Sequence, residues 1–223
     1  MVVVVLKSNV AQGGEDLTIR LWDVREPAAG AKHSEDGSGG CALGLRHTIT
    51  GFDYHPICVD VVNDGKGTTL VTGHNGFNGT GCMITLWDLR MQKPLKAMRG
   101  HQNTVRWVLQ PAAFGETAAA VLHASKKAPP TGPIIYSASD DGSIGAWAVD
   151  APAGAERIAD WRVPEGRITT LGEYTPDGGA AELVFACRND PMGVGGGVVA
   201  ASQLGGPVKG RPAPLLRRRV WGP

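Results

Sequence analysis

The chain has 223 residues, of which 42% are apolar, and its 22 Lys and Arg against 21 Asp and Glu leave a formal net charge of +1. That balance argues against a general nucleic-acid or anionic-membrane binder, which needs a basic excess, and the apolar share is ample for a core rather than a disordered chain. The 32 Gly and 15 Pro point to many turns instead of long helices.

The opening MVVVVL has no basic stretch before it and an apolar run too short for a signal peptide or a membrane span. It predicts a soluble, intracellular chain. Val2–Leu6 and Val10–Gln12 precede the first clear strand, LTIRLWDVR at 17–25, with no room for a first strand of that sheet. There apolar and polar residues alternate through Ile19 and Leu21, the period of a half-buried strand. Residues 26–44, rich in Gly, Ala and Ser, carry no period that could bury a face and predict a surface loop. The strand pattern returns as MITLWDLR at 83–90 and, degraded, as SIGAWAVD at 143–150. A second low-complexity insertion spans 112–133, and RITTLGEY (167–174) and ELVFAC (182–187) read as further strands. Residues 191–223 predict an irregular, solvated tail. Its cluster Gly193, Gly195, Gly196, Gly197 matches no phosphate-binding loop, and its basic run Arg217–Arg219 is too short for a nucleic-acid signal. Cysteines at 41, 58, 82 and 187 include no Cys-x-x-Cys pair, so neither a zinc module nor a disulfide scaffold is expected.

Trp22, Trp87 and Trp147 stand 65 and 60 residues apart. Taking about 20 inserted residues out of each interval restores the period of roughly 40–45 residues of a four-stranded propeller blade. On these residues the chain resembles the WD-repeat β-propeller family. The segment 99–150 opens with Gly100-His101 and closes near Trp147 like one complete blade. Residues 13–23 are similar to the end of a preceding blade, and 58–90 to a blade with an altered middle.

The resemblance implies an all-β fold over 1–190, a partial ring of about three to four blades. The remaining blades would come from absent sequence, as in an incomplete gene model or a fragment, or from another chain; with open faces at both ends, stability alone in solution is doubtful. It also implies a buried hydrogen-bonded chain of His101, Ser139, Asp141 and Trp147, with Asp16, Thr18 and Trp22 repeating the spacing of Asp141, Ser143 and Trp147. The middle blade keeps Trp87 but holds Gly81 in the aspartate position and no Gly-His before it. It is therefore expected to pack by close approach without such a chain.

Function follows as expectation. The family resemblance implies a non-catalytic scaffold that binds other proteins, with no cofactor or metal and neither nucleic acid nor membrane as partner. The run GHNGFNGTGCMITLWDLR (73–90) is similar to the ciliary subfamily of WD-repeat-containing protein thirty-one, which implies a cytoplasmic adaptor linked to the cilium or flagellum. An alternative rests on Trp-Asp-x-Arg at 22–25 and 87–90. It looks like the motif by which some WD-repeat proteins dock on cullin-RING ubiquitin ligases, with Arg25 and Arg90 as partner-binding forks. A remote alternative is a serine hydrolase using His101, Ser139 and Asp141; the absence of G-x-S-x-G weighs against it.

Overall fold

Short β-branched runs separated by turn residues form fifteen strands in the computed structural model. It describes residues 2–6, 9–23, 44–62, 68–111, 132–154, 156–162, 166–174, 182–189 and 193–200. The first sheet is the meander β1 (Val2–Leu6), β2 (Asn9–Gly13), β3 (Ile19–Asp23) and β4 (Gly44–Ile49). The second is β5 (Pro56–Val62), β6 (Thr69–His74), β7 (Met83–Asp88) and β8 (Lys93–Arg99). The third is β9 (Val105–Leu109), β10 (Ile134–Ser139), β11 (Ser143–Ala148) and β12 (Arg157–Arg162). The fourth has three strands, β13 (Arg167–Tyr174), β14 (Glu182–Asn189) and β15 (Gly193–Ala200). Every pairing is antiparallel, and no helix occurs among the described residues.

Two boundaries differ from expectation. β1 pairs with β2 along its whole length, from Val2↔Gly13 to Leu6↔Asn9. The stretch before β3 thus does have room for a first strand, because an antiparallel link can be as short as two residues. β15 lies inside the stretch expected to be irregular, yet it pairs with β14 from Glu182↔Ala200 to Asn189↔Gly193. Glycine weakens a strand without forbidding it, and no indole marks this one. The rest of the tail, with Arg217–Arg219, lies outside the described residues, as do both insertions except Gly44, Gly132 and Pro133.

The sheets stack in chain order, with the first strands β1, β5, β9 and β13 in succession against one another. Three apolar cores fill the three joints. Ala11, Ile19, Leu21 and Ile49 of the first sheet meet Phe52, Val59, Leu70 and Trp87. Val71, Ile84 and Leu86 of the second meet Val105, Val108, Ile135 and Trp147. Tyr136, Ile144, Ala146 and Trp161 of the third meet Ile168, Leu171, Leu183 and Phe185. A sandwiched sheet must be apolar on both faces, and all six residues of β10 and of β11 are buried.

One irregularity repeats. Between the third and fourth strands of each four-stranded sheet the register shifts at the indole: Leu21/Trp22, Leu86/Trp87 and Ala146/Trp147. A bulge bends the strand and re-aims its side chain, here the tryptophan, which in the second and third sheets points back at the sheet before. In a meander, alternate connections share an end. The loops 50–55, 75–82, 100–104 and 140–142 form what we term the upper end, and the β7–β8 turn belongs to the lower one.

Candidate functional site

Trp147 Nε1 donates to Ser137 Oγ at 2.7 Å, and that oxygen lies 2.7 Å from His101 Nε2. His101 Nδ1 faces Asp141 Oδ2 at 3.2 Å and Ser143 Oγ at 2.9 Å. One proton arrangement satisfies every group: the indole donates to Ser137, the Ser137 hydroxyl to Nε2, and Nδ1–H to the carboxylate. Asp141 also accepts from Gln102 N at 2.7 Å, Ser143 N at 2.8 Å and Ser143 Oγ at 2.5 Å. Burial alone would raise this carboxyl's pKa. The His101 hydrogen bond, then the Ser143 hydroxyl and the Gln102 amide, overcome burial and hold it well below the ordinary carboxylate range.

The guanidinium of Arg157 closes the cluster. It lies 5.2 Å from the centre of the Trp147 ring and donates to Gly100 O at 2.9 Å and Asp160 Oδ1 at 2.7 Å. Glycine suits residue 100 because its φ of 155° is one that L side chains rarely adopt, and a Cβ there would stand close, 3.1 Å from Trp147 Cη2 and 3.2 Å from Arg157 Nη1. This is the reason for glycine in Gly100-His101.

Ser139, assigned to the chain from sequence, does not take part. Its hydroxyl donates to Asn103 O at 3.0 Å and accepts from Asp141 N at 3.1 Å, which ties the β10–β11 turn to the neighbouring loop. The physical reason is alternation. Residues two apart share a face, so Ser137 and Ser139 both point toward the second sheet, but only Ser137, paired to Gly145 two residues before Trp147, lies under the indole. Replacing Ser137 by Ala strands two buried polar groups, so we expect a loss of about 1–3 kcal/mol. Ser139→Ala removes only turn bonds, with about 0.5–1.5 kcal/mol expected. Thermal melts of the two variants check the order; a larger loss at Ser139 would reverse the assignment.

Ser137–His101–Asp141 has the connectivity of a nucleophile, base and acid, but its geometry is that of a clamp. His101 is 2% exposed and Ser137 0%, and the Ser137 oxygen already receives the indole N–H. A scissile carbonyl has no approach to it.

The second sheet does carry a chain of its own, contrary to the expectation from Gly81. Trp87 Nε1 donates to Thr72 Oγ1 at 2.9 Å, which lies 2.9 Å from His74 Nε2, and His74 Nδ1 donates to Tyr54 O at 3.2 Å. His74 stands on β6, where the third sheet has Ser139. Phe52 takes the place of His101, its ring 4.4 Å from Trp87 and 5.9 Å from His74. Gly81 has φ 74°, and a Cβ there would fall 2.4 Å from the Tyr54 ring. An aspartate at 81 is thus excluded by the tyrosine, and a backbone carbonyl ends the chain in its stead. Burial pushes the His74 pKa below the usual histidine range, the Tyr54 carbonyl opposing only in part.

In the first sheet Trp22 Nε1 donates to Gln12 Oε1 at 3.1 Å. Asp16 is not joined to it; at the surface its carboxylate accepts from Thr18 Oγ1 at 2.8 Å and Arg20 Nη2 at 2.6 Å. Those two groups lower its pKa, against slight desolvation. The acceptor under the indole could have been found from spacing. It lies ten residues before the tryptophan in the first and third sheets and fifteen before it in the second.

The longer interval in the second sheet holds an excursion at the upper end. Phe77 and Thr80 exchange N–H···O bonds of 2.9 and 3.0 Å, Gly79 N donates to Gln102 O at 2.9 Å, and Thr104 Oγ1 lies 2.9 Å from Gly76 O. The excursion is thus braced on the loop that carries His101, and Phe77 at its tip is 67% exposed. At the lower end, Asp88 Oδ1 accepts from Arg90 N at 2.7 Å and Met91 N at 3.0 Å, an Asx-type turn that presents Arg90 and Met91 to solvent. Arg25 lies outside the described residues. Among those described, no group of His, Cys, Asp and Glu side chains could hold a metal ion.

No protein-family model matches the chain. Two solved structures are similar to it, titled "Structure of U3-55K" and "Crystal structure of RRP9 WD40 repeats". Each is 18% identical with a TM-score of 0.55 and covers 87% of this chain. The likeness identifies the fold as part of a WD40 propeller. This chain spans about half of those structures, 47% and 46% of their length.

Proposed function

We propose that the chain is a non-catalytic platform that binds other proteins, with the upper end as its contact face and Phe77 as the anchor. One observation carries this: a large aromatic side chain stands out in solvent on a turn braced by hydrogen bonds to the loops before β5 and β9. A rigid aromatic costs little entropy to bury, and such residues dominate interface energetics. The proton-relay geometry, by contrast, is sealed from solvent.

The test is recovery of neighbours by proximity labelling with the tagged chain and its Phe77→Ala variant. Truncating an anchor costs about 2 kcal/mol or more, so the affinity of partners contacting this face should fall roughly thirty-fold and their labelling should drop with it. An unchanged set of neighbours would remove Phe77 from the interface.

Two finer readings are distinguished in the same experiment. The similarity of residues 73–90 to the ciliary subfamily supports an adaptor in the cytoplasm and cilium, which axonemal or transport neighbours would bear out. The outward Arg90 supports a receptor role on a cullin-RING ligase. That reading requires cullin-adaptor neighbours that disappear when Arg25 and Arg90 are replaced by Ala.

A further inference from the structure

The excursion that carries Phe77 holds both Asn-Gly pairs of the sequence, Asn75-Gly76 and Asn78-Gly79. Asn-Gly is the dipeptide most prone to spontaneous deamidation, because glycine has no side chain to keep its amide nitrogen away from the neighbouring carboxamide. That nitrogen attacks Asn Cγ and gives up its proton to water, and the side-chain nitrogen leaves as ammonia. Water then opens the five-membered imide at either carbonyl, giving aspartate or, chiefly, isoaspartate. One water is consumed and one ammonia released, with no change of oxidation state. The attack needs a peptide plane that can turn, so the fold decides which pair reacts.

The two pairs are held differently. Asn75 N donates to His55 O at 2.9 Å, and Asn75 Oδ1 accepts from Thr104 Oγ1 at 2.9 Å. Gly76 is buried, and the place of a Cβ on it is filled by the backbone of Thr80, Gly81 and Cys82. This plane cannot turn unless the excursion unpacks. Asn78 and Gly79 are both exposed, with φ of 51° and 76°, the left-handed pair of a two-residue hairpin turn. One hydrogen bond holds the attacking nitrogen, from Gly79 N to Gln102 O at 2.9 Å. A bond between two exposed loops opens locally far more often than the whole chain unfolds.

We propose that Asn78 is a deamidation site of this chain, and that its conversion releases the Phe77 turn from the loop before β9. Isoaspartate adds a methylene to the backbone inside the turn. The paired bonds between Phe77 and Thr80, and the bond from Gly79 to Gln102, then lose the spacing that lets them form. The new carboxylate also stands one residue from Phe77, at the tip. An effect on binding rests on the contact role proposed for Phe77; the modification does not.

The experiment ages the purified chain in mildly alkaline buffer, folded and in urea, and follows each asparagine by peptide mass spectrometry. In the folded chain Asn78 should gain one mass unit roughly ten-fold faster than Asn75, the ratio for about 1.4 kcal/mol of additional hold. In urea the two rates should converge, which assigns the difference to the fold. Deuterium exchange on the aged chain should show the Gly79 and Thr80 amides unprotected. Asn78→Gln, which cannot close a five-membered imide, should keep them protected through the same treatment. The proposal is overturned by no gain at Asn78, by a folded Asn75 that reacts as fast, by a difference that persists in urea, or by exchange protection that survives conversion. None of these readings uses a partner, so they stand or fall apart from the labelling of neighbours.

Discussion

Trp147→Ala should be among the most damaging single changes to the chain, lowering stability by about 3–5 kcal/mol, the range for a fully buried tryptophan. The indole is 1% exposed and lies in the joint between the second and third sheets. Its loss removes apolar contact with both. It also takes away the donor that fixes Ser137 Oγ and the ring under the Arg157 guanidinium. For a chain of this size each kcal/mol lowers the melting temperature by roughly 2–4 °C, so a fall of about 6–20 °C should be seen by circular dichroism. Trp147→Phe keeps most of the volume and isolates the hydrogen bond, for which about 1 kcal/mol is expected. If Ala and Phe cost the same, packing across the joint is not what the indole supplies.

Asp141→Ala should follow closely, at about 3 kcal/mol, because the buried Ser143 N–H and His101 Nδ1–H and the exposed Gln102 N–H lose their acceptor together. Asp141→Asn restores one acceptor oxygen but turns an N–H₂ toward donors, so it should recover only part. The pH dependence carries the same signature. A carboxyl held below its unfolded value contributes stability that is fully present above about pH 3.8 and is lost as the pH falls below that. His74 acts earlier. Its depressed pKa means that the unfolded chain takes up a proton the folded one refuses, so stability declines as the pH falls below about 6.5. Denaturant titrations from pH 8 to 3 should therefore show two descending steps. The lower one is reduced in Asp141→Ala, leaving what Asp16 and Glu156 contribute, and the upper one is absent in His74→Gln. An undiminished lower step in Asp141→Ala would place the main acid-sensitive group elsewhere.

The second sheet shows why its network could not be read from residue types. A Gly-His pair and an aspartate mark the network of the third sheet, and the second has Gly51-Phe52 and Gly81 in their places. The imidazole arrives from another direction, along β6 at His74, while Tyr54 supplies the acceptor and fills the volume that an aspartate needs. The chemistry is retained, as an indole donating through a hydroxyl to an imidazole, with different residues at its end. The same lesson explains Ser139. Two serines two residues apart on one face are equivalent until the paired strand fixes which of them lies beneath the tryptophan.

Residue order alone was enough for the all-β repeat. Alternation of period two, glycine-rich turns and three regularly spaced indoles are local properties, and a strand's faces follow from them wherever it is placed. Its tertiary structure decided what depends on neighbours distant in the chain. That includes the choice of Ser137 over Ser139, the rerouting through His74, the recruitment of Gly193–Ala200 as a strand despite its glycines, and the bracing of Phe77 on the loop before β9. Hydrogen bonds and packing are satisfied between sheets, so partners are set by how sheets stack, and no spacing within one strand encodes that.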